Sequence, residues 1–517
     1  MASDNFKPDT LHPDYVQYIN EWERIEDASN GEAAVKAKEN GRAYLTPTMG
    51  MSAAEFRLYV HLARFLPAIG KTLQAYTGLI HRKPGVLAGH EKLAQDLLQK
   101  LLTNFSRKHQ TIEDFAEELT FNYSKFKRGG VLTEYPEVEE QPKNLKEFED
   151  TGRLPYCRFF EARQIINWRS TVDHSGRLML NLVVIKLIAT VNDPDNEFAE
   201  KEQNQYYILD LIKKTGYDRP IYRKRIATKV DDNWQVDESI PIINNSPVFE
   251  IPFDFVGPVK PAHSDILPAV EVAFQLYTLS AALNWALHFI GLPTFYTIGV
   301  KNPEDLMDVD SEGNERLPLG PSGGLHIPEA DAKVGMVSYE GRGLDLIRDE
   351  IKDRRDELAA LGSRMLTDER RGVEAEETAR IHRSGENAGL TTTAKACSTV
   401  LTMQLKRMLT WLGVDQSMLQ GLKYTLNTDY LPSRIDAQTL DTLFKMFIEG
   451  GLPLEDFLLN LKRGEIVDND RSLEEFEEGL RKPEPEPAPV QVVQPPQSTE
   501  DPKATKDQEE EVDVVED

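Results

Sequence analysis

Three short motifs carry residue types on which catalysis or ligand binding is often built. Gly320-Pro321-Ser322-Gly323-Gly324 has the spacing of a serine nucleophile turn. Such a turn lifts its serine between a strand and a helix. Pro318 and Pro321 flank this one, and Leu325-His326-Ile327-Pro328 follows, a sequence that cannot be a helix. A polar loop is the better reading, and a soluble hydrolase using Ser322 is kept as the rival function. Gly70-Lys71-Thr72 ends like a phosphate-binding loop, but Phe65 stands where its first glycine belongs. Without that glycine, backbone N–H groups are not free to cradle a phosphate. Asp308-Val309-Asp310-Ser311-Glu312-Gly313 opens like a calcium loop, yet its twelfth position is Leu319 in place of a bidentate acid. The 10 histidines show no metal-ligand spacing. Cys157 and Cys397 lie far apart, which suits a reducing setting and no disulfide framework. Trp168 and Trp285 read as core residues. These residues predict no catalytic site, no metal and no cofactor.

The densest run of chemistry is charge. Between Gly343 and Gly413 the chain reads as helix, short charged loop, longer helix. The first helix covers 344–366, with Leu344, Ile347, Ile351, Leu358, Leu361 and Met365 sharing a face. Its other faces carry Arg348, Asp349, Glu350, Lys352, Asp353, Arg354, Arg355, Asp356 and Glu357. A run of this kind is either a solvated face or a face for a copy of itself. The loop holds Asp368, Glu369, Arg370 and Arg371. The longer helix covers 374–412, its apolar row running from Leu390 through Ala394, Cys397, Leu401, Leu405 and Met408 to Leu412. Gly385 and Gly389 are places for a kink, and Gly413 is placed to end the helix.

The surroundings of this pair follow from composition. The chain has 517 residues, 40% hydrophobic and 28% charged, with net charge −26. That length suits two to four domains and a substantial core. Residues 483–517 hold eleven acids and two lysines, so the tail carries −9 and the body −17. An acidic body argues against tight wrapping of nucleic acid through many phosphate contacts. The first residues have no signal-peptide pattern. The stretch 266–292 is too polar for a membrane span, with Glu271, Gln275, Asn284 and His288 inside it.

In order, 14–41 reads as two helices. Ser52 with Glu55 suggests a capping box on a third helix. Further helices follow to Ile80, over 93–102 and over 111–121. Residues 137–260 are β-rich, with strands expected at 163–169, 177–190, 205–210, 221–230 and 248–255. A long helix over 265–290 precedes strands at 294–300 and 333–339, with a Gly/Pro-rich loop between. Helices at 436–448, 454–462 and 472–480 follow, then a disordered tail. The fold class is α+β, mainly helical.

Local phrases and their order resemble the portal proteins, or head-to-tail connectors, of tailed double-stranded DNA bacteriophages. The phrases include Gly31-Glu32-Ala33-Ala34-Val35-Lys36, Thr77-Gly78-Leu79-Ile80-His81-Arg82-Lys83-Pro84, Arg128-Gly129-Gly130-Val131-Leu132 and Ile165-Ile166-Asn167-Trp168-Arg169. Gly41-Arg42-Ala43-Tyr44-Leu45, Ile251-Pro252-Phe253, Ala360-Leu361-Gly362-Ser363-Arg364-Met365-Leu366 and Glu377-Thr378-Ala379 continue the series. No single phrase is specific; the likeness covers about residues 15–480.

The resemblance implies a portal-type subunit. Residues 1–262 would form a wing of N-terminal helices and a β-rich unit. Residues 263–290 would be the first stem helix, 291–340 the clip and 341–366 the second stem helix. A tunnel loop would span 367–373, a long wing helix 374–413, a helical crown 414–482 and a disordered acidic tail 483–517. The chain would form a closed ring, typically of twelve subunits, at one capsid vertex of the virion. It would be assembled in the host bacterial cytoplasm. Double-stranded DNA would pass without sequence recognition, and no membrane would be involved. Terminase, scaffold, major capsid protein and a head-completion adaptor are the implied partners. Asp368, Glu369, Arg370 and Arg371 would face DNA, and the charged residues of 348–357 would lie between subunits. A non-viral helical scaffold with an acidic interaction tail is the remaining alternative.

Overall fold

The computed structural model describes residues 6–136, 153–172, 176–193, 196–230, 233–244, 246–291, 294–300, 307–309, 315–316, 331–337, 343–363, 376–430, 437–448, 451–463 and 466–467. They divide into two compact units, the first ending at Tyr430 and the second beginning at Leu431.

The first unit opens with α1 (Pro13–Asn30). His12 caps it by accepting from the Asp14 N–H at 3.1 Å, and proline fills the first helical position. Tyr15, Tyr18, Trp22, Ile25 and Ala28 recur at three- and four-residue steps and are buried. α2 (Glu32–Ala37) and a 3₁₀ turn follow. α3 (Ala53–Leu62) starts at the expected capping box: Ser52 Oγ accepts from Glu55 N at 3.2 Å, and Glu55 accepts from Ser52 N at 2.7 Å. α4 (Ala68–Ile80) holds Gly70-Lys71-Thr72 inside a helix, with Lys71 exposed. A Cβ at Gly70 would lie 2.5 Å from the Ser29 carbonyl oxygen. This glycine therefore serves the close approach of α4 to α1.

Next come β1 (Val86–Ala88), α5 (Gln95–Thr103) and α6 (Ile112–Phe126). α6 runs five residues beyond the expected end, because Tyr123 and Phe126 continue its buried face. β2 (Gly129–Glu134) is the middle strand of a three-stranded sheet, with β3 (Tyr156–Glu161) on one side. β4 (Ile165–Val172), β5 (Leu178–Asp193), β6 (Asn196–Ile212), β7 (Ile221–Val230) and β8 (Asn233–Ser239) form an antiparallel meander. β9 (Ile242–Ile243) and β10 (Ser246–Pro247) make a short pair, and β11 (Phe253–Val256) closes the three-stranded sheet on β2. β5 and β6 extend past their neighbours: β4 stops at the Ile165–Ile185 pair and β7 at Thr228–Gln205. The far part of this hairpin pairs only with itself among the described residues, and Phe198 on it is 89% exposed.

α7 (Leu267–Gly291) packs on α1, α3 and α4 through Val270, Ala273, Tyr277 and Ala281. Its polar residues have local work. Asn284 donates to the Leu62 carbonyl at 2.8 Å, and Ser280 accepts from the Arg64 N–H at 3.1 Å. No helix among the described residues is long and apolar enough to cross a membrane. β12 (Thr294–Ile298), β13 (Asp308–Val309), β14 (Glu315–Arg316) and β15 (Lys333–Val337) follow. β12 pairs with β15, and β13 with β14, both antiparallel. Asp308 is thus a strand residue opposite Arg316. Leu319 and Ser322 lie outside the described residues.

α8 (Leu344–Leu358) passes into a wider π-helical stretch, Ala359–Ser363, where an unbroken α-helix to residue 366 was expected. α9 (Glu376–Trp411) is one continuous helix through Gly385 and Gly389. It ends as expected at Gly413, which has φ +85°. Val414 N–H donates to Leu409 O at 3.1 Å and Gly413 N–H to Thr410 O at 3.0 Å, a Schellman closure. β16 (Lys423–Thr425) pairs with β1. The sequence grouped 414–430 with the helices that follow. Instead Leu419, Leu422, Tyr424, Leu426 and Tyr430 are buried in the core shared by α5, α6 and α9. Burial of that apolar surface ties the segment to the first unit.

The second unit contains α10 (Ala437–Ile448) and α11 (Leu454–Arg463). Phe447 stacks on Phe457 at 4.6 Å, and Phe457, Leu458 and Leu461 are buried. Residues 472–480 and the tail lie outside the described residues. The chain as a whole mixes helix and strand, with helix the more abundant.

Candidate functional site

The charged helix α8 is held by a narrow apolar face. Ile351 and Leu358 pack into the main core, where Trp285 of α7 also lies. Leu358 is 5% exposed. α7 and α8 pack against each other, and the antiparallel β12–β15 pair lies between them in sequence. Leu344 and Ile347 are half-buried on the same face, and most of the charged residues of α8 are turned outward.

The outward residues sort by sign. Arg348, Lys352 and Arg355 follow one another at four- and three-residue steps, so they form a basic row. Asp349, Asp353 and Asp356 form an acidic row beside it by the same spacing, and Glu350 and Glu357 lie further round. Apart from Glu350 and Arg354, which are half-buried, these side chains are exposed. Arg354 is spoken for within its own helix. Its Nε donates to Glu350 at 2.8 Å and its Nη1 to Glu357 at 2.5 Å. Those two carboxylates, Glu357 foremost, raise its guanidinium above the usual arginine value. Arg348 pairs with Asp345 at 3.2 Å. Lys352, Arg355, Asp349, Asp353 and Asp356 make no ion pair with the described residues.

Asp368, Glu369, Arg370 and Arg371 lie outside the described residues, between the π-helical stretch and α9. α9 itself is firmly seated. Gln404 is fully buried within its apolar row; its Nε2 donates to Asp254 Oδ2 at 2.8 Å and its Oε1 accepts from the Thr133 hydroxyl. Arg407 Nη1 donates to the same Asp254 oxygen at 2.6 Å. This network fixes α9 on β2 and β11. Both cysteines are buried, and burial pushes the Cys397 thiol up to about 12.

Sequence reasoning missed the most unusual side chain. Arg128 is fully buried in the corner made by the rings of Trp168, at 4.1 Å, and Phe255, at 4.2 Å, which stand at 74° to each other; His12 also stacks on Trp168 at 4.0 Å. Its Nη1 donates to the carbonyls of Pro258, at 3.1 Å, and Val259. No local pattern marks it, because its partners come from two distant segments, at 168 and at 255–259. Glu26 was also missed. It pairs with buried Lys125 at 2.6 Å and with Arg163 at 3.2 Å. Burial alone would raise its carboxyl, but these cations prevail and hold it below the usual glutamate value.

Comparison with known proteins adds three findings. No curated protein matches the chain. Residues 266–412, from the start of α7 to the end of α9, match a family described as Domain of unknown function (DUF4055). Among solved structures, the chain is similar to one in "Virion of native gene transfer agent (GTA) particle", at 13% identity and TM-score 0.37, covering 83% of this chain and 98% of that one. It is also similar to one in "Neck of empty GTA particle computed with C6 symmetry", at 13% identity and TM-score 0.38, covering 80% and 95%.

Proposed function

We propose that the chain is a portal subunit. It forms a ring at one capsid vertex, through which double-stranded DNA enters and leaves. It docks terminase during packaging and head-completion or tail proteins afterwards, and it meets scaffold and major capsid protein during assembly. It hydrolyses no ATP. The ordered sequence phrases from residue 15 to 480 support this reading. The observation that carries it is the surface of α8: a basic row and acidic rows side by side, with Lys352, Arg355, Asp349, Asp353 and Asp356 making no ion pair with the described residues. A helix of this kind gains most from a neighbour that presents the opposite row. In a closed ring every subunit supplies that neighbour, through a heterologous contact repeated around the axis.

In this reading α7 and α8 are the stem, and the strands between them belong to the clip. Residues 367–373 are the tunnel loop, with Arg370 and Arg371 meeting phosphates once per subunit. The acidic character of the chain keeps DNA moving by repelling its backbone. Negative-stain imaging of the purified protein, paired with mass photometry, tests the proposal. Rings with an axial hole and a mass near a dozen subunits are expected, with or without added scaffold. A monomer that stays monomeric even with scaffold present would overturn it.

A further inference from the structure

A groove of about 560 Å³ lies between one face of α9 and residues 420–428. α9 places Lys395, Thr399, Thr402 and Lys406 along it at steps of four, three and four. They therefore form one line, roughly 16 Å long at the rise of an α-helix. The opposite wall carries Lys423. Leu422 and Tyr424 on either side of it are buried, so strand alternation turns Lys423 outward. The walls are tied together. Thr402 Oγ1 donates to the Tyr424 carbonyl at 3.1 Å and accepts from the Tyr424 N–H at 3.0 Å, while Ser398 Oγ accepts from Leu426 N–H at 2.9 Å. Among the described residues no carboxylate lines the groove. None of the three lysines makes an ion pair with the described residues. In a chain of net charge −26, three unpaired ammonium groups along one groove are a local reversal of sign.

We propose that this groove binds the phosphate backbone of duplex nucleic acid without reading its sequence. Ammonium groups are donors that meet phosphate oxygens; the Thr399 and Thr402 hydroxyls already donate to backbone carbonyls, so the lysines carry the contact. Among the described residues no aromatic ring lines the groove, so they offer no platform on which the bases of a single strand could stack. No arginine among them lines it either, so they lack the fork that grips a carboxylate. None of the lining residues belongs to 367–373, and a single chain supplies all of them.

The test is fluorescence anisotropy on the full chain carrying Arg370→Ala and Arg371→Ala, which silences the loop. The probes are a random-sequence duplex of 20 base pairs, a single strand of equal length and poly-glutamate. With three phosphates neutralised, duplex affinity should fall about 40-fold between 50 and 200 mM salt. Adding Lys395→Gln, Lys406→Gln and Lys423→Gln should cut affinity at low salt at least tenfold and flatten the salt response. The matching Lys→Arg triple should restore binding, which separates loss of charge from loss of fold. Duplex binding that is unchanged in the glutamine triple would overturn the proposal. So would lysine-dependent binding of poly-glutamate without binding of the duplex. Ring formation by the same variants is scored by imaging and reads the portal proposal independently.

Discussion

At the scale of single residues, the fold depends on two buried charges handled in opposite ways. Arg128 is held by ring faces and carbonyl oxygens, with its Nε and Nη2 lacking hydrogen-bond partners among the described residues. A broad, planar guanidinium can stay within reach of both rings and both carbonyls; a compact ammonium meets them only as a point charge. Arg128→Lys is expected to cost about 2–4 kcal/mol, from the lost stacking and the poorly placed charge. Arg128→Met should cost less, because it fills the corner between the rings and removes two orphaned donors. Urea midpoints decide the order, and a Lys variant more stable than the Met variant would refute the stacking account. Glu26 is the paired case. Its carboxyl sits below the usual value in the fold, so its stabilisation is present above the unfolded carboxylate range and is lost as pH falls through the folded value. Glu26→Gln should destabilise by about 3–5 kcal/mol at pH 7, since it leaves Lys125 buried without its partner. The gap to the parent should narrow as pH is lowered from 5 towards 3. A constant gap across that range would show that the carboxylate charge is not what matters.

At the scale of elements, the helices were legible and several strands were not. α9 announced itself by its apolar row and by Gly413, and α3 by Ser52 and Glu55, because helix periodicity and caps are local signals. β3 and β8 escaped because a strand is recognised through its partners, and theirs are distant or mixed in polarity. β5 and β6 outran their expected ends because a hairpin can extend on its own pairing past the rest of the sheet. The charge rows of α8 were legible as composition. The lysine groove was not, since two of its lysines are spaced along a helix and the third comes from β16. Gln404 likewise reads as an interruption of the apolar row until Asp254 and Thr133 meet it. Asp254 serves two donors from α9, so Asp254→Ala should strand the Gln404 amide and leave Arg407 with only Gln404 Oε1, at 3.1 Å, and Glu250, at 3.8 Å. The expected loss is about 2–4 kcal/mol, because buried donors left without an acceptor bear their full desolvation cost. Adding Gln404→Leu and Arg407→Met should recover much of it. Chemical denaturation of the single and triple variants measures this, and no recovery would mean that Asp254 acts through the backbone of β11.

At the scale of the whole molecule, the surface of α8 makes a prediction that folding stability cannot mimic. Single exposed ion pairs contribute at most about 1 kcal/mol, so one pair says little. A closed ring repeats the contact at every interface, and it does so heterologously, with different rows meeting across each boundary. Lys352→Glu with Arg355→Glu makes one subunit acidic on both sides. Asp353→Lys with Asp356→Lys makes another basic on both sides. Arg354 is left untouched, because it is already paired to Glu350 and Glu357 within its own helix. Each double variant should melt within a few degrees of the parent, as exposed substitutions usually do. Alone, neither should close rings, because like rows then face each other at every boundary. Mixed in equal amounts they should assemble again, since the acidic side of one kind always meets the basic side of the other. Alternation of two kinds closes only with an even number of subunits, so mass photometry of the mixture should show even-numbered rings alone. Rings formed by either variant by itself, or a mixture that stays unassembled while both kinds are folded, would remove α8 from the subunit boundary.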